Sequence, residues 1–275
     1  MNVIRRFWSV IVLVIILCLP TTVIAEEALV FSAPPRESLE KGKKTYEPIA
    51  LFLSKKLKRK VVYKHPGNWL SYSADMRKGK YDIVFDGPHF VSWRIRQLEH
   101  VPLIKIPGDF YFYFVARKDN DKINKVSDLV GKRVCGHAPP NQGTLRLFNQ
   151  LDNPARQPIL VQVKGWRNIF KATMEGRCEA GIVPFKIYNK VDPEGKQSKV
   201  IFESKHVSGQ AITAGNMFSH NEIKQLRDLL LSTEGYEATK NLRERFASDT
   251  LLQANRNEYD DVYKLLRFSY GFSMN

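Results

Sequence analysis

The segment CGHAPPNQGTLRLF, Cys135 to Phe148, carries the residues best suited to hold a ligand. It follows a strand-like GKRV and runs into a helical pattern, which puts Asn141, Gln142, Gly143 and Thr144 at a helix N-terminus. The first amides of a helix lack intrahelical partners and sit at the positive end of its dipole, so such a terminus is a ready anion site. Thr144 adds the one hydroxyl of the tract, and Asn141 and Gln142 add amides. The plainer use of the same residues is a proline-rich turn capped by Asn141 or Thr144.

Cys135 and His137 lie two apart, which on a strand projects thiol and imidazole from one face, with His89 a candidate opposite them. Three chemistries fit that pair. It could pack structurally, bind a soft metal or a thiophilic oxyanion such as arsenite, or act as a Cys-His nucleophile in a secreted hydrolase. No third group that would orient the imidazole accompanies the two, so the enzymatic reading has the least support.

The elements that must position these residues alternate regularly. ALVFSA reads as a strand, TYEPIALFLSKKL as an amphipathic helix with Ile49, Leu51, Phe52 and Leu57 on its apolar face, VVYKH as a strand, NWLSYSADMRKG as a helix, and YDIVFD as a strand stopped by Gly87-Pro88. A long aromatic strand, Phe110 to Asp119, interrupts the rhythm, which then restarts through GKRVCGH, ILVQVKG, EAGIVP and KVIFESK. AITAGNMF returns to strand character before the last helices. Such alternation predicts an α/β fold with mostly parallel sheets covered on both faces. The order predicts one lobe over residues 26–112, a second over 113–209, and a return to the first over 210–275, with hinges near Phe112 to Ala116 and Gly209 to Ala214. Ligands in open α/β sheets bind beyond the carboxyl ends of the strands, here a cleft between lobes. Arg36 in the loop after the first strand could grip an oxyanion with two N–H groups. Gly87, Pro88 and His89 follow the third strand, where Gly87 lets backbone approach a ligand. Trp69, Tyr72 and Tyr111 are assigned to packing.

Residues 1–25 read as a secretory signal peptide, with Arg5 and Arg6, an apolar run from Phe7 to Leu19, Pro20, and a small-residue cleavage site at Ala25. The run is about 13 residues, short of the ~20 that span a bilayer. Leu17 before Cys18 argues against lipidation. The expected location is the periplasm. The chain carries +15, and losing the two leader arginines leaves +13 on the mature part. Export and the lack of an RNA-recognition signature argue against nucleic acid as the partner, and the charge favours an anionic ligand or an anionic membrane partner. Lys55 to Lys60 read as a solvated face. Cys135 and Cys178 would sit at opposite ends of parallel neighbours, about 15 Å apart at 3.3 Å per residue, too far to bridge. Free thiols are the expectation.

Tyr46-Glu47-Pro48, GKYDIVFDGPHFV (Gly79 to Val91), FVARKD with SDLVGKRV (Phe114 to Val134) and GWRNIFKATMEGRCEAGIVP together resemble the periplasmic phosphate/phosphite/phosphonate-binding proteins of ABC importers. The resemblance runs through nearly the whole mature chain. It implies a type 2 periplasmic-binding-protein fold, two α/β lobes joined by two crossover strands around a ligand cleft. It further implies a monomeric, non-enzymatic receptor without a cofactor or metal that serves an inner-membrane permease or, alternatively, a sensor kinase. Tyr46 matches a ligand-touching tyrosine of the family, and Trp166 stands in a cleft loop where the family pattern has histidine. HAPPNQGTL replaces a serine/threonine-rich tract that grips phosphonate oxygens.

Overall fold

The computed structural model describes residues 27–272 except residue 270; the leader read over residues 1–25, Cys18 included, lies outside the described residues. Two sheets form the two lobes. In the first, β1 (Leu29–Ser32) leads into helix α1 (Leu39–Leu57), β2 (Val61–Tyr63), α2 (Trp69–Arg77), β3 (Ile83–Asp86), α3 (Pro88–Gln97) and β4 (Val101–Lys105). The chain crosses through β5 (Asp109–Phe110) into the second lobe. That lobe runs β6 (Phe112–Arg117), β7 (Arg133–Gly136), α4 (Gln142–Gln150), β8 (Ile159–Gln162), α5 (Trp166–Met174), β9 (Ala180–Pro184), α6 (Phe185–Val191) and β10 (Ser198–Glu203). It returns through β11 (Val207–Ser208) to β12 (Ala211–Ala214), three helices α7 (His220–Leu231), α8 (Thr233–Ala238) and α9 (Lys240–Arg245), β13 (Leu252–Gln253), and two 3-10 turns ending at Phe268.

The sheet orders are β13-β4-β12-β3-β1-β2 and β10-β6-β9-β7-β8. Only the segments built from consecutive β/α units are parallel, namely β2-β1-β3 and β8-β7-β9. β12 lies antiparallel between β3 and β4, and β6 antiparallel between β9 and β10. The sheets are therefore mixed where mostly parallel ones were expected. A strand arriving from the other lobe enters at the crossover end and so runs against its neighbours.

The crossovers differ from the expected hinges as well. Phe112 to Ala116 belong to a sheet strand of the second lobe and Ala211 to Ala214 to one of the first, while Gly209 and Gln210 lie between β11 and β12. Between the lobes, β5 and β11 pair with each other as an antiparallel ribbon, Val207 opposite Phe110 and Ser208 opposite Asp109.

Helix α1 starts at Leu39, six residues before the expected Thr45, with Ser38 as its cap and Pro48 in its interior. Proline removes the amide that would bond the Lys44 carbonyl. The Asn241 side chain donates to that carbonyl instead, at 2.7 Å. The buried face is Tyr46, Ile49, Ala50 and Leu53; Leu51, expected on the apolar face, is 63% exposed.

Cys135 and Cys178 form a disulfide, with Cα atoms 5.7 Å apart, contrary to the expected free thiols. Strand register explains the difference. β7 has four residues and Cys135 lies level with Gly181, only three positions beyond Cys178. The turn after α5, with Gly176 at φ +76°, brings Cys178 beneath the sheet, where both sulfurs join the core formed with Ile169, Phe170 and Val183. The bridge closes a loop of 43 residues. Cys178→Ser is expected to lower unfolding stability by about 2–4 kcal/mol, read as a reduced urea midpoint that added reductant does not shift further.

Candidate functional site

Two helix N-termini meet at the interface of the lobes. α3 starts after Gly87, which offers no side chain to cap it, and α4 starts after Asn141, whose Oδ1 accepts from the amides of Gly143 (3.0 Å) and Thr144 (3.4 Å). A methyl group on Gly87 would meet His89 Nδ1 at 3.3 Å and Arg36 Nη2 at 3.5 Å. Imidazole and guanidinium thus flank the bare backbone at the carboxyl end of β3. Pro88 is buried beside them as the first residue of α3. His89 Nε2 reaches across to the Pro140 carbonyl of the other lobe at 3.0 Å.

Gly143 anchors α4 to its own sheet. A Cβ there would come within 2.7 Å of Ile182 and 2.8 Å of Phe112, so only glycine lets the helix start press this closely on β9 and β6. Gln142 next to it is 3% exposed, and neither its Oε1 nor its Nε2 has a partner. One turn on, Arg146 is buried with Nε unpaired. It also lines a cavity of about 280 Å³ shared with Phe202, Lys205 and Leu265. From the first lobe, Arg36 Nη1 and the Tyr46 hydroxyl are buried without a partner. Unpaired buried polar atoms are costly and uncommon in proteins. Five residues that carry them gather here from both lobes: Arg36, Tyr46, His89, Gln142 and Arg146.

The electrostatics follow from burial. Removal from water pushes His89 down to about 3, the Arg36 and Arg146 charges add to the shift, and the Pro140 carbonyl opposes it. The imidazole is therefore neutral. Burial lowers Arg146 to about 10, leaving it charged at neutral pH. Burial raises Tyr46 far above its usual range, so its hydroxyl keeps its proton.

A model of the family described as ABC transporter, phosphonate, periplasmic substrate-binding protein matches residues 31–259. The chain belongs to this family. The phosphate-import protein PhnD of Mycolicibacterium smegmatis is 25% identical to it over 229 residues, 74% of this chain and 71% of that protein. Among solved structures, PhnD1 from Prochlorococcus marinus in complex with methylphosphonate superposes with a TM-score of 0.64 at 15% identity, covering 87% of this chain and 97% of its own. XAC2383 from Xanthomonas citri bound to ATP gives 0.68 at 12% identity with the same coverage. These likenesses show the type 2 binding-protein fold. Family membership makes this a periplasmic substrate-binding component of an ABC importer.

In this binding protein some of the residues singled out from sequence do other work. Cys135 is locked in the disulfide on the α5 side of its sheet and is fully buried, so its thiol is not a ligand donor. Thr144 donates its hydroxyl to the His137 carbonyl at 2.6 Å, which ties the loop to the helix and leaves that hydrogen unavailable to an anion. His137 and Trp166 pack edge to face with centroids 4.2 Å apart, and Trp166 leans on Phe112. Together they form part of the second lobe's wall. Arg146 was missed. Its signal was present, since it lies four residues after Gln142 and so on the same helix face.

Acid should weaken the fold through the buried histidines. His100, 3% exposed and bonded to the Thr213 hydroxyl, is pushed down to about 2 by burial, with Arg94 adding to the shift. For both His89 and His100 the folded value lies below the ordinary 6.5, so the unfolded chain binds more protons as pH falls. Their contribution is complete above pH 6.5 and is lost progressively toward pH 3, at about 1.4 kcal/mol per histidine per pH unit. Denaturant midpoints measured at pH 7.5 and 5.5 should therefore fall, and by about half as much in His100→Gln.

Proposed function

We propose that this chain captures a small phosphorus oxyanion, a phosphate or a phosphonate, between its lobes and delivers it to the permease. The observation that carries this reading is the set of buried, unpartnered polar groups on Arg36, Tyr46, His89, Gln142 and Arg146, gathered at two helix N-termini. Two guanidiniums supply positive charge, and no carboxylate belongs to the set. Of the acids beside these residues in sequence, Glu37 is paired with Arg245, Asp86 is bonded to Arg94 and Tyr72, and Glu47 is exposed. An ammonium-bearing ligand would find no counter-charge among these groups, whereas an oxyanion accepts from the two guanidiniums, the Tyr46 hydroxyl and the Gln142 amide.

On this reading the lobes divide as expected from sequence, save that Phe112 belongs to the second, and they close about the β5/β11 ribbon. The site draws on one chain alone, so a monomer suffices. Catalysis finds no support: Cys135, the one nucleophile considered, is held as a disulfide. The same bond removes the sulfur donor that an arsenite or soft-metal ligand would need.

Isothermal titration of the purified protein with phosphate, methylphosphonate and a neutral sugar tests the reading. Binding of the anions with no response to the sugar is expected. Binding of the sugar alone would refute it.

A further inference from the structure

Among the five residues that bring unpartnered buried polar atoms to this site, four either donate only or can do both. Arg36 and Arg146 have only N–H groups, while the Tyr46 hydroxyl and the Gln142 amide turn to suit whatever they meet. His89 differs. Its Nε2 faces a carbonyl oxygen at 3.0 Å, and a carbonyl only accepts, so the ring hydrogen sits on Nε2. The ring is 5% exposed, and the charges that bear on it are Arg36 from the loop after β1 and Arg146 from α4, both positive. A second ring proton is therefore unfavourable. What remains is Nδ1, a bare lone pair without a partner, 3.3 Å from the Cβ position of Gly87 on the side where Arg36 Nη2 arrives.

Resting on the oxyanion reading above, we propose that His89 Nδ1 accepts a hydrogen from the ligand, so that the site selects an anion carrying a P–OH group over one whose oxygens are all bare. Arg36 and Arg146 neutralise the anion, and Pro140, by fixing the tautomer from the opposite lobe, determines which anion is accepted. Because the Pro140 bond forms only when the lobes meet, the choice is made in the closed state. An oxygen without hydrogen placed against Nδ1 would set two lone pairs together in a site sealed from water, where such mismatches discriminate most strongly.

Phosphate keeps at least one P–OH across the range in which the protein is folded, and sulfate has none near neutral pH. Methylphosphonate has one until its second ionisation. The wild-type protein should therefore bind phosphate about 100-fold or more tighter than sulfate. Between pH 6 and 9, below the Arg146 value of about 10, methylphosphonate affinity should fall by up to about tenfold per pH unit once its P–OH ionises. Phosphate affinity should stay nearly level. His89→Gln, which can turn an N–H to the ligand, should reduce the phosphate-to-sulfate ratio at least tenfold, whereas Gln142→Ala should weaken both anions alike. Equal binding of sulfate and phosphate by the wild type, or parallel pH profiles for the two phosphorus anions, would overturn the role of His89 while leaving the oxyanion reading intact. Failure of every anion to bind would overturn both.

Discussion

Asp86→Asn is expected to destabilise the protein by about 3–5 kcal/mol, the usual cost of leaving a buried charge without its partner. Asp86 and Arg94 are both fully buried, with Nε to Oδ2 at 2.7 Å. The Tyr72 hydroxyl donates to the other carboxylate oxygen at 2.5 Å and accepts from Arg94 Nη2 at 3.1 Å. The guanidinium also lies against the rings of Tyr72 and Tyr81. An amide in place of the carboxylate keeps the shape but leaves the cation uncompensated in a medium that cannot solvate it. Urea unfolding measures the loss. The double variant Asp86→Asn, Arg94→Met should recover part of it, because removing both charges costs less than stranding one. A single-variant loss below about 1 kcal/mol would mean that water reaches the guanidinium.

Arg36→Ala is expected to do the reverse, harming binding and sparing the fold. Truncating one member of a desolvated charge pair costs about 2–5 kcal/mol of binding, which is roughly thirtyfold or more in affinity for phosphate. In the free protein, however, Arg36 Nη1 makes no hydrogen bond; the guanidinium faces the Tyr46 hydroxyl and rests over Phe85 and Phe246, about 6 Å from each ring centre. The ligand-free melting temperature should therefore hold steady or rise. Titration and melting curves on the same sample separate the two effects. A variant that melts early and binds phosphate normally would make Arg36 a structural residue.

Much of this was legible in the sequence, for physical reasons that also mark where legibility ended. β1 and β3 are short apolar runs bounded by proline and glycine, and the Gly87-Pro88 stop placed His89 at a strand end. Those signals are local, and the local features hold. The disulfide depended on how far β9 slides along β7, a register that neither strand encodes alone. The hydroxyl of Thr144 was correctly placed at the α4 terminus but has two possible acceptors, and the His137 carbonyl seven residues back takes it. The helix was expected to start at Thr45, close to Pro48, because the group that compensates the proline, Asn241, lies 197 positions from the Lys44 carbonyl it bonds. Arg146 was overlooked because a basic residue in a helix usually points to solvent, and only the packing of α4 against the other lobe buries it.

The β5/β11 ribbon bears on how the importer is informed of a catch. Two separate tethers would let the lobes twist, slide and hinge in any combination, and the permease would meet a continuum of shapes. Because Phe110 pairs with Val207 and Asp109 with Ser208, the two crossings are laced to each other and must bend as one strip. A strip bends readily across its width and resists shear along its length, which leaves the lobes a single axis about which to rock. Occupancy of the cleft is then reported outside as one angle, and a transporter need only distinguish its two extremes.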